Sequence, residues 1–204
     1  MLALAALTLS LQLQQNSFDL LDGVSIEIAT HNSASTPMSV TFQHPAEYEI
    51  DVLRGDTVIW SNSTSAPLGA TFPPHTRGFR PGPSVLVVYI WNAITSDGTT
   101  PVPGTYTVRA HLLGEGVTPT ASASFHFINP VPVAAVDKLK VGDTVTIAGM
   151  LDASKGFLTD ASGTLRLGRR LLTAPNALIA VRGYLVLEPD RTYAFFVQRW
   201  APLE

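Results

Sequence analysis

The chain has no cysteine among its 204 residues, so disulfides and thiolate chemistry are excluded. A zinc site would have to be built from histidine and carboxylates. Neither sign of charge dominates: 13 Lys and Arg stand against 16 Asp and Glu, a net −3 that is too small to declare a partner. No run reaches the ~18 apolar residues of a membrane-spanning helix. Nor does the chain contain H-E-x-x-H, G-x-S-x-G, a phosphate-cradling Gly loop or a dinucleotide fingerprint. These absences point away from an enzyme and toward a protein that binds. No cofactor and no metal are expected.

What is present favours strands. Hydrophobic residues make up 46%, enough for a packed core, and 15 Gly with 15 Pro suit many short strands joined by turns. In residues 46–61, Tyr48, Ile50 and Val52 alternate with Glu47, Glu49 and Asp51, the period of a half-buried strand. A turn at Arg54-Gly55-Asp56 then leads into the return strand Val58-Ile59-Trp60. The same alternation predicts strands over 7–13, 24–28, 38–42, 106–112 and 121–127, and the apolar run 84–91 reads as a central strand. About eight short strands indicate an immunoglobulin-like sandwich over residues 7–128.

Asn129-Pro130-Val131-Pro132 opens a Pro-rich linker, placed at 129–136. Charge shifts at this joint: up to Pro132 there are 4 basic and 9 acidic residues, and from Val133 on 9 basic and 7 acidic. Five strand signals follow, at 144–150, 156–159, 164–167, 178–187 and 192–200, with bends at Gly149 and Gly183. They predict a small closed five-stranded barrel over 137–204, OB-like, with an SH3-like barrel as the alternative. Residues 1–6 contain Ala3-Leu4-Ala5, like the end of a signal peptide. If they are such a remnant the protein is exported or in the cell envelope; otherwise it is cytoplasmic.

An ordered set of short motifs carries a family resemblance: Tyr48-Glu49-Ile50, Val58-Ile59-Trp60-Ser61, Pro81-Gly82, Trp91, and Pro103-Gly104-Thr105-Tyr106-Thr107-Val108-Arg109-Ala110. In order and spacing, residues 7–127 resemble the intracellular proteinase inhibitor family, the BsuPI-like domains. The resemblance implies an immunoglobulin-like, non-enzymatic domain, with a subtilisin-type serine peptidase as the target. After Ser61 the chain departs from the family's Met-Phe-Thr-Gln-like segment and carries Ser65-Ala66-Pro67-Leu68-Gly69-Ala70-Thr71-Phe72.

Two sets of residues are candidate sites. The 61–83 loop is long and Pro-rich, so little entropy is lost when a partner fixes it. Pro67, Leu68, Phe72 and Phe79 are its apolar anchors for a protein partner, unless they fold back over the sandwich end. In the barrel, Arg166, Arg182 and Arg199 with Tyr184 suggest stacking and phosphate pairing, hence an oligonucleotide or glycan ligand as the alternative. An envelope scaffold is a third reading. His111 and His126 fall on the polar faces of neighbouring strands with no third ligand evident, and the carboxylates Glu47, Glu49, Asp51 and Asp56 read as solvating charges. Asn62-Ser63-Thr64 matches a glycosylation sequon.

Overall fold

The computed structural model describes residues 6–65, 73–168, 177–188 and 193–203. In chain order its strands are β1 (Leu7–Leu13), β2 (Ser17–Phe18), β3 (Val24–Asn32), β4 (Met38–Phe42), β5 (Tyr48–Arg54), β6 (Thr57–Ser61), β7 (His75–Phe79) and β8 (Val85–Trp91). They continue with β9 (Gly104–Leu112), β10 (Thr120–Phe127), β11 (Thr144–Asp152), β12 (Phe157–Asp160), β13 (Gly163–Arg166), β14 (Ala177–Leu187) and β15 (Tyr193–Pro202). Short 3-10 turns lie at Asn62–Ser65 and Val133–Lys138. The all-β class expected from the sequence is the class observed. No helix among the described residues is long and apolar enough to cross a membrane.

The chain forms two compact units. One comprises Met1–Asn16, Val24–Trp91 and Thr105–Phe125; the other comprises Ser17–Gly23, Asn92–Gly104 and His126–Glu204. The division is therefore not one cut at a 129–136 linker, because 17–23 and 92–104 group with the C-terminal strands. Val133 and Val136 are themselves buried in their 3-10 turn.

In the first unit β3 runs between β1 and β8, while β5 runs between β9 and β6. Alternation decides what each strand buries. Val24, Ile26 and Ile28 of β3, Ile50 and Val52 of β5, and Val108 and Ala110 of β9 all point into the core. Tyr48 can join them because its hydroxyl has a partner, Thr30 Oγ1 at 2.7 Å. Burial pushes the Tyr48 phenol above its ordinary value, partly offset by that hydrogen bond. Trp91 closes the layer between Trp60 and Phe125, with ring centroids at 6.0 and 6.4 Å. The hairpin turn uses Gly55 at φ 58°, where a side chain would be strained.

Three expectations for this unit are corrected. Among the described residues strand β8 is an edge strand, not a central one, and its apolar run alternates between half-buried and exposed up to the buried Trp91. The 61–83 loop contains β7, paired with β4 from Met38↔Phe79 to Phe42↔His75. Phe79 is consequently buried, and it packs in the core rather than serving as an exposed anchor.

In the second unit β2 pairs in parallel with the last residues of β10, and a further sheet runs β13-β12-β11-β14-β15. Ile147, Leu151, Leu158, Ile179, Val181, Leu185, Phe195 and Val197 form its core, with Val136 of the 3-10 turn. Among the described residues the expected closed barrel is not formed: β13 and β15 are the two edges of the sheet, and a parallel bridge, Leu167↔Phe195, links the residue after β13 to β15.

Candidate ligand groove

The second unit holds an apolar groove of about 590 Å³. One wall is the stretch Ala148, Gly149 and Met150 of β11. A Cβ on Gly149 would lie 2.5 Å from the Thr159 carbonyl oxygen, so glycine is what lets β12 approach here. Met150 pairs across to Thr159 on one side and Leu178 on the other. Met150 and Leu178 are each 43% exposed, the apolar lip of the groove.

The remaining walls come from distant segments. Leu203 is fixed by its N–H donating to the Leu178 carbonyl at 3.0 Å, and Thr100 N–H donates to the Pro202 carbonyl at 3.1 Å, which brings Val102 and Pro103 alongside. Pro130 precedes Val131, whose N–H donates to the Thr146 carbonyl at 2.8 Å. Leu20 completes the lining and is almost fully buried.

Asp160 is the one titratable residue lining the groove among those described. Its Oδ2 accepts the Val133 N–H at 2.9 Å, and its Oδ1 accepts from Ser162 N–H at 2.7 Å, Ser162 Oγ at 2.6 Å and Gly163 N–H at 3.0 Å. Desolvation pushes this carboxyl up, but the hydrogen bonds from Ser162, Val133 and Gly163 outweigh it and hold it below the ordinary carboxylate value. The carboxylate is thus committed to turn backbone, and the groove offers a ligand little beyond hydrocarbon.

The barrel arginines do different work from that expected. Arg182 is ion-paired to Asp19 and, at 3.2 Å, to Asp22. Arg199 donates to the Leu21 carbonyl at 2.7 Å and the Asn92 carbonyl at 2.9 Å. Together they fasten the segment on which Leu20 stands. Arg166 lies 3.5 Å from Glu188, and Tyr184 packs on Phe196 with centroids 5.3 Å apart. Arg182 and Arg199 are thus engaged within the chain, while Arg166 stays more than half exposed beside Glu188.

Of the loop anchors, Pro67, Leu68 and Phe72 lie outside the described residues. The loop's first stem is held by Asn62, whose Oδ1 accepts the Ile50 N–H at 2.7 Å and whose Nδ2 donates to the Tyr48 carbonyl at 2.9 Å. The sequon asparagine is therefore a packing residue. The acidic residues read as solvating are also employed: Glu47 is ion-paired to Arg77 and sits 3.4 Å from His75, and buried Asp51 pairs with Arg109 at 2.8 Å. Glu49, Asp51 and His111 have ligand atoms within 4.8 Å of one another, a juxtaposition set by the Glu49↔His111 register that sequence spacing alone does not reveal. Arg109 already supplies the counter-charge to Asp51 in that group.

No protein-family model and no curated protein matches the chain. Among solved structures it is similar to a β-glucosidase from Erythrobacter marinus at 12% identity and TM-score 0.37, covering 60% of this chain and 15% of that one. A CARDB domain from Pyrococcus furiosus is 13% identical with TM-score 0.35, covering 60% and 94%. The alkylpurine DNA glycosylase AlkC of Pseudomonas fluorescens is 15% identical with TM-score 0.37, covering 61% and 31%. Likenesses this distant carry no functional argument.

Proposed function

We propose that the chain is a non-catalytic binding protein whose second unit receives an apolar segment of a protein partner. The observation that supports this reading is the groove itself. Its volume lies within the range of ligand pockets, roughly 300–1,000 Å³, and its single carboxylate is saturated. Met150 at the lip can repack around different side chains. A library of extended peptides panned on the intact chain tests it. Enriched peptides are expected to carry two or three apolar residues and to be retained at least ~10-fold less by the Met150→Glu/Leu178→Glu variant, because each buried carboxylate would lack a partner. Equal retention on both proteins, or no enrichment, rejects the groove.

A second reading rests on the anchored stem at Asn62. Asn62 is tied to β5 and the chain is paired again at β7, and a serine peptidase inhibitor presents its reactive segment between anchored stems of this kind. Intact chain is then expected to slow subtilisin, with Leu68→Asp abolishing the effect while leaving the fold intact. A parent protein that does not inhibit removes this reading.

A further inference from the structure

Strand β8 has β3 on one side, in unbroken register from Val24↔Trp91 to Thr30↔Val85. Among the described residues no strand pairs with residues 85–90 on the other side. Natural edge strands are guarded by charge, proline or a bulge. Residues 85–91, Val-Leu-Val-Val-Tyr-Ile-Trp, have none of these. The outward side chains Leu86, Val88 and Ile90 are 54%, 54% and 68% exposed. Beside them on β3 stand Ala29, Glu27 and Ser25, so the apolar stripe belongs to the edge alone.

We infer that β8 pairs antiparallel with β8 of a second copy, about a two-fold axis at Val88. The pattern is self-complementary in that register. Val88 meets Val88, and Leu86 meets Ile90 at both ends, while Glu27 stays one strand away from the joint. Sliding by two residues spoils it, setting Ile90 against Ser84 or Leu86 against Asn92. The outward N–H and C=O groups of residues 85–90 on both edges gain partners in the same step. The occupant is an identical strand because the stripe is symmetric about its own midpoint, the property an isologous interface requires. Two short edges and six apolar side chains make a small interface, of the order of 1,200 Å² or less. The dimer is accordingly weak and concentration-dependent.

Sedimentation of the intact chain from low to high micromolar concentration is expected to show a monomer–dimer equilibrium. Val88→Lys places like charges directly opposite across the axis and should weaken it by roughly 10-fold or more; Ser10→Lys, on the outer face of β1, should not. Mixing Val88→Lys with Val88→Glu should restore association, which only direct contact between the two copies of residue 88 predicts. Near-UV circular dichroism checks that each variant is folded. A parent that stays monomeric overturns the inference and leaves this edge to a different strand. Unchanged association of Val88→Lys, or no rescue in the mixture, overturns it as well.

Discussion

Gly183→Ala is expected to unfold the second unit selectively. Gly183 sits where the β14–β15 register shifts, and a Cβ there would lie 2.1 Å from the Phe196 carbonyl oxygen and 2.7 Å from the Phe195 ring. The carbonyl is backbone of a paired strand and cannot step aside without breaking the ladder. The objection is steric, so no backbone adjustment at residue 183 alone relieves it. Overpacking of this kind costs about 3 kcal/mol or somewhat more, a fall of ~12–24 °C in the transition of a small unit. Calorimetry of the intact chain reads it: the transition of the first unit should hold while that of the second drops. Gly163→Ala is the control, since its nearest neighbour would be Val133 Cγ1 at 3.7 Å. Equal behaviour of the two variants would contradict the packing described.

Asn32→Asp is expected to have a comparable effect on the first unit. Asn32 is almost fully buried at the end of β3. Its Nδ2 donates to the Phe79 carbonyl at 2.9 Å and the Thr36 carbonyl at 3.0 Å, and its Oδ1 accepts the Ala34 N–H at 2.9 Å. The amide ties β3 to the end of β7, beside the backbone bridge Asn32↔Pro81. An aspartate of the same shape removes both donors and sets a carboxylate against two carbonyl oxygens. The cost is about 3–5 kcal/mol, that of a buried charge without a partner. The introduced carboxyl would be held above its unfolded value, so the deficit is full at neutral pH and shrinks as pH falls toward the ordinary carboxylate range. Urea titrations at neutral and acid pH check it. A loss independent of pH would show that packing, not charge, is disturbed.

Local alternation made much of the first unit legible. The β5–β6 hairpin, β4 and the inward faces of β3 and β9 follow from a period of two within single segments. Strand β7 escaped because His-Thr-Arg-Gly-Phe has no such period and is held by pairing with β4, more than thirty residues away. The edge position of β8 escaped because an apolar run states that a strand is greasy, not how many neighbours it has. Whether β13 and β15 pair edge to edge is a matter of tertiary placement, which strand signals do not fix. The groove is the extreme case. Leu20, Val102, Pro130, Gly149, Leu178 and Leu203 converge from six places in the chain, and only the bend at Gly149 left a local trace. Arg182 and Arg199 looked like ligand groups because sequence shows a cation but not the Asp19, Asp22 and Leu21 that occupy it.

The reading of the second unit as the receiver of an apolar segment stands or falls with the groove. Titrating the intact chain with anilinonaphthalene sulfonate, an apolar probe, and following backbone amides by NMR tests it directly. Saturable shifts are expected at Gly149, Met150, Ala161, Leu178 and Leu203, and they should vanish in Met150→Glu/Leu178→Glu. Shifts confined to β8 or to the 61–83 loop, or unaltered by that substitution, would contradict the account.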